Sequence, residues 1–129
     1  MPAHVLDKAY TIATANGVAA NRVVVAGPTA GQCALPATEN ASGLLGVTVH
    51  SQPNTGRAVT VRKIGIAEVA AAGPIALGAP VIAAGSSGKV KAASGSAGTK
   101  INVLGFAETP ATSDGDIIEV FLFIHQGTM

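Results

Sequence analysis

The chain has 129 residues, a formal charge of +1 and only 12 % charged residues, with no Trp, one Tyr and three Phe. Its Lys and Arg are scattered without interleaved aromatics, which excludes a nucleic-acid surface, and no run of about 18 apolar residues offers a membrane span. Cys33 is single, so neither an intrachain disulfide nor a thiolate metal cluster can form.

In chain order, the opening "MPAHVLDKAY" lacks the basic start and apolar stretch of a signal peptide. It reads as an extended N-terminal arm over residues 1–15, ahead of a single β domain over 16–125 and a short C-terminal tail, 126–129. "RVVV" (22–25) is β-branched and runs into a Gly/Pro turn, as expected of a short strand. Cys33, in an Ala-rich stretch, reads as an inert small hydrophobe. Asn40-Ala41-Ser42 matches the glycosylation sequon by chance. "LLGVTVHSQPNTGRAVTV" (44–61) is an apolar strand, a polar turn and a second apolar strand. "AEVAAAG" (67–73) has helix propensity, but it sits between β-type segments with Pro74 beyond, and reads as strand leading into a turn. "PVIA" (80–83) repeats the short-strand pattern, and "AGSSGKV" (84–90) lacks the first Gly and the Ser/Thr of a phosphate-binding loop, so it reads as a turn.

"VLGFAETPATSDGDIIEV" (103–120) then repeats the hairpin of 44–61 at an offset of 59 residues, with Leu45, Gly46, Gly56 and Val61 falling on Leu104, Gly105, Gly115 and Val120. Upstream, 16–33 falls on 73–90 at an offset of 57, with Val24 on Val81 and Gly31 on Gly88. Two pseudo-repeats, about 16–61 and 73–120, share one strand-and-turn grammar. In the last strand, Ile118, Val120, Leu122 and Ile124 alternate with Ile117, Glu119, Phe121 and Phe123. Apolar residues on both faces fit either a central barrel strand or a contact with a subunit or partner.

The core is thin. Ala supplies 25 residues, and Val, Ile, Leu and Phe together only 33, which suits a chain that associates with copies of itself. No catalytic or metal centre can be read. His4, His50 and His125 lack partners at metal-ligand spacing. Asp114 and Asp116 flank Gly115 in a turn, which accounts for them better than acid–base chemistry or Ca²⁺ binding does.

Taken together, "YTIATANGVAANRVVV", the stretch "GLLGVTVHSQPNTGRAVTVRKIGIAEVAAAGPIALGAPVIAAGSSGKVKAA" and "LGFAETPATSDGDIIEVFLF" resemble the tailed-phage capsid decoration, or cement, proteins over roughly residues 8–124. The resemblance implies an all-β fold, a small β-barrel or β-sandwich, β-tulip-like, without catalysis or cofactor. It implies a protein made in the host cytoplasm that sits on the outer surface of the virion capsid. Its partners would be the major capsid protein and further copies of itself, as a homotrimer or a dimer, with no nucleic acid and no membrane. The shell would be stabilised against packaged DNA because a module bridging several subunits adds contacts that must all break together. The contact residues expected are Pro2, Ala3, His4, Val5, Leu6 and Tyr10 on the arm, pairing with a neighbour by strand addition, and Phe121 and Phe123 on the last strand. Two rival readings stand beside it: an oligomeric all-β binding or adhesion module unrelated to capsids, and a trimeric all-β enzyme with sites shared between subunits. The first would ordinarily present Trp or Tyr platforms to sugars, and this chain has only Tyr10.

Overall fold

A computed structural model describes residues 5–15 and 17–129. The described chain is all strand and turn. Nine strands follow in order: β1 Leu6–Ile12, β2 Val23–Ala26, β3 Gln32–Ala34, β4 Leu44–Thr48, β5 Ala58–Ala70, β6 Pro80–Ala83, β7 Val90–Ala92, β8 Lys100–Ala107 and β9 Ile117–Thr128. They form one sheet in the order β1-β3-β2-β4-β5-β9-β8-β6-β7, and β1 also pairs with β5. The first five strands therefore close into a barrel. A second set of the same order, β7-β6-β8-β9 with the far end of β5, closes through a parallel bridge between Ala71 and Val90.

The internal repeat is physical. β2–β3, β2–β4 and β4–β5 are antiparallel pairs in the first half, and β6–β7, β6–β8 and β8–β9 match them in the second. The parallel pair Ile12 and Cys33 has its counterpart in Ala71 and Val90. The first barrel encloses Tyr10, Ile12, Val18, Val24, Cys33, Val59 and Val61. At the repeat offsets these fall on Val69, Ala71, Ile75, Val81, Val90, Ile118 and Val120, all of them in the second core. That second core also takes in Val23 and Val47, so the two barrels pack on each other.

The correspondence corrects the reading of both ends of the chain. Leu6–Ile12, expected to extend outside the repeat as an arm, is instead an integral barrel strand. It pairs antiparallel with Ala58–Ile64 of β5 and parallel with β3. Its counterpart in the second half is the stretch Gly65–Ala70 of β5, paired with β9. The single strand β5 thus closes the first barrel with its beginning and opens the second with its end. Gly65, with φ at 112°, lies at the hand-over, in a region that suits a residue without Cβ. At the other end, Gln126, Gly127 and Thr128, read as tail, are the last rungs of β9 and pair with Lys100–Asn102.

The turns are held by their own polar residues. Asp116 accepts from the backbone N–H groups of Thr112 and Ser113 at 2.9 and 3.1 Å and from the Thr112 hydroxyl at 3.0 Å. These bonds, the Thr112 N–H foremost, hold its carboxyl below the usual carboxylate range. A group whose pKa is depressed on folding contributes stability above its unfolded pKa and loses it as pH falls through the folded value. Asp116→Ala is therefore expected to lower the melting temperature at pH 7. Its difference from the parent should shrink as the pH is taken down through the acid range, as scanning calorimetry at a series of pH values would show.

Asn40 has its own structural use. Its amide donates to the Lys100 carbonyl at 2.9 Å and accepts from the Asn102 N–H at 2.8 Å, strapping the first half's loop to β8.

Candidate functional site

Among the described residues, several large apolar side chains stand exposed on one face of the sheet. Small residues fill part of the interior of β5, and large ones stand outside on both β5 and β9. On β5, Ala67 and Val69 are buried while Ile64 and Ile66 are exposed. On β9, Ile118, Val120 and Leu122 point into the core, and Ile117, Phe121 and Phe123 point away from it. Of the two readings of this strand, burial on both sides within one chain fails: Phe121 is 49 % exposed and Phe123 56 %.

Cross-strand register makes these residues one surface. Leu6 of β1 pairs with Ile64 of β5, Ile66 of β5 with Phe121 of β9, and Phe121 in turn with Phe106 of β8. Beyond them Phe123 stacks on Phe106 with ring centroids 6.3 Å apart, and His125 lies 4.7 Å from Phe123. The His125 ring is held by a 2.7 Å bond between Nδ1 and the Phe123 carbonyl. The result is an aliphatic and aromatic stripe across four adjacent strands, β1, β5, β9 and β8. Contiguous exposed apolar surface of this kind marks an interaction site.

Polar groups border the stripe. Arg62 grips Asp7 through Nε and Nη2 at 3.0 and 3.2 Å and reaches the Ile66 carbonyl with Nη1 at 3.3 Å. The bond to Asp7 holds the guanidinium pKa above its ordinary value. Beside it lies a groove of ≈ 440 Å³ with Asn21, Thr48, Arg62, Ile66, Glu68 and Glu119 in its walls.

The expected contact residues divide. Phe121, Phe123, Leu6 and Val5 are exposed, and the first three belong to the stripe or its edge. Tyr10 does not join them. It is buried in the first barrel, and its hydroxyl accepts a 2.8 Å bond from the Lys63 ammonium. Pro2, Ala3 and His4 lie outside the described residues. Strand addition by Leu6–Ile12 is not open to a neighbour along the edges it already shares with β3 and β5. Ile64, Ile66 and Phe106 escaped the reading of the sequence. The available signal was "KIGIAE", where the large residues alternate with Gly65 and Ala67 and so occupy the face that the small residues leave.

Groups of catalytic type are tied into structure. Asp114 pairs with Lys89 at 2.8 Å, and Asp116 caps its own turn. His50 accepts the Thr60 N–H on Nε2 at 3.1 Å, which places its proton on Nδ1, facing the Ser51 carbonyl. Burial raises the pKa of the Cys33 thiol, which keeps it unreactive. Among the described residues no three His, Cys, Asp or Glu converge as a metal site.

No curated relative matches the chain by sequence. A solved structure titled the head fiber gp8.5 N base in bacteriophage phi29 superposes with a TM-score of 0.64 at 17 % identity, covering 93 % of this chain and 95 % of that one. At that identity the likeness is one of fold, and it supports the small all-β barrel architecture. The family model of the phage cement proteins matches residues 5–122, nearly the whole length. The chain belongs to the phage cement protein family.

Proposed function

We propose that this protein is a capsid decoration protein that binds the outer surface of the shell built by the major capsid protein and stabilises the expanded head against the pressure of packaged DNA. The observation that carries the reading is the stripe of Ile64, Ile66, Phe121 and Phe123 left outside a sheet whose core is already closed. Burying such a face against the shell, or between copies clustered as a homotrimer over a junction of capsid subunits, removes its apolar area from water. Each additional subunit gripped raises the number of contacts that must fail together before the shell opens.

The role needs no catalysis. Arg62 and Asp7, which border the stripe, are engaged with each other. The work done is mechanical, carried by a rigid double barrel whose closing strand β5 is common to both halves.

The test is thermal. Heads of the encoding phage that lack this protein are heated with and without the purified chain, and DNA release is followed with an intercalating dye. Decorated heads are expected to release DNA at a temperature several degrees higher. Identical release curves at saturating protein would overturn the stabilising role.

A further inference from the structure

Beside the apolar stripe lies a polar feature that no contact within the chain explains. Glu68 and Glu119 stand directly opposite each other in register across β5 and β9, two residues along from the pair Ile66 and Phe121 and on the same exposed face. Like charges placed directly opposite destabilise an antiparallel pair. Neither carboxylate enters an ion pair among the described residues, where the three pairs are Arg62–Asp7, Lys89–Asp114 and Lys91–Glu39. Arg62 lines the same groove but is spoken for, with both arms of its fork on Asp7 and its third nitrogen on the Ile66 carbonyl. The groove of ≈ 440 Å³ therefore holds two uncompensated carboxylates, with Ile66 common to the groove and the apolar stripe.

We infer that the partner on this face is an apolar protein segment carrying a Lys or Arg, whose cationic head seats between Glu68 and Glu119 while its stem lies along Ile66. The inference rests on the reading of the stripe as a docking face and names the chemistry of what docks there. A single ammonium or guanidinium between the two carboxylates turns their repulsion into two attractions. The aliphatic stem of such a side chain covers apolar surface on its way to the charged site. Of the eight Lys and Arg of this chain, Arg62, Lys89 and Lys91 are in ion pairs and Lys63 is bonded to the Tyr10 hydroxyl, so a second copy could offer the groove only Lys8, Arg22, Arg57 or Lys100. The occupant we assign is a segment of a different protein, exposed on the shell, and filling by a second copy is an outcome of the test.

The test compares three full-length forms, the parent, the isosteric double variant Glu68→Gln/Glu119→Gln and Phe123→Asp, for binding to undecorated heads at 50 and 300 mM salt. The double variant removes only the charges and relieves their repulsion, so the free protein should melt at the same temperature or slightly higher. Its binding at low salt should nevertheless fall about three- to tenfold, with a flatter salt dependence. If Phe123→Asp abolishes binding while the double variant keeps the parent's affinity and salt slope, the basic occupant is overturned and the docking face stands. If Phe123→Asp binds like the parent, face and occupant fail together. If the free parent is an oligomer that the double variant takes apart, the groove is filled by a second copy and the inference is overturned.

Discussion

Gly105→Ala is expected to destabilise the free protein by about 3 kcal/mol, visible as a fall of roughly 10–15 °C in melting temperature. The reason is steric and local. A Cβ built on Gly105 would stand 2.1 Å from the Phe121 carbonyl oxygen and 2.9 Å from its carbon, both backbone atoms that cannot swing aside. Pairing between β8 and β9 shifts register between Val103 and Gly105, and at the glycine the Phe121 backbone leaves no room for a side chain. Gly46 repeats the arrangement in the first half, with its added Cβ 2.1 Å from the Arg62 carbonyl oxygen. Arg62 and Phe121 are themselves repeat equivalents, so both barrels use the same glycine to bring a hairpin's two strands together. Gly73→Ala is the control. Nothing lies within 4 Å of its added Cβ, and its change in stability should stay within about 0.5 kcal/mol of zero. Urea titration of the two variants checks the contrast, and a Gly105→Ala protein as stable as Gly73→Ala would contradict the close approach.

Phe123→Asp is expected to act on assembly rather than on folding. Phe123 is more than half exposed in the single chain, so the free variant should keep the parent's fold and lose less than about 1 kcal/mol of stability. On an apolar docking face the same change buries an unpaired carboxylate and removes a stacked aromatic anchor. Losses of 2 kcal/mol or more are usual for such residues, which is about thirtyfold or more in affinity. Sedimentation of heads with labelled protein measures the loss. Unchanged binding would remove Phe123 from the contact. Phe121→Asp should behave alike, since Phe121 is paired with both Ile66 and Phe106 in the middle of the stripe.

Much of the fold was legible because β-branched runs and Gly/Asp/Asn turns act locally. The hairpins at 44–61 and 103–120 and the alternation of Ile118, Val120 and Leu122 could be read directly from the chain. The first strand could not. Tyr10 and Ile12 correspond in space to Val69 and Ala71, side chains too different in size and chemistry for their shared position to register as a repeat. Nor could the double duty of β5, since Lys63 and Gly65 interrupt its apolar pattern midway, where one partner gives way to another. The docking face was half legible. A strand apolar on both sides fits either a central barrel strand or a partner contact, and which side stays exposed depends on the closure of the second barrel around Val120. Glu68 and Glu119 carry no signal in sequence at all, because 51 positions separate them and only the β5–β9 register brings them together.

The most direct test of the decoration role is a cryo-electron-microscopy reconstruction of heads saturated with the protein, at a resolution that places the strands. The expected map shows the double barrel on the outer surface, with Ile66, Phe121 and Phe123 buried against capsid subunits or neighbouring copies. A map in which that stripe faces solvent, or in which the shell carries no density for the protein, would contradict it.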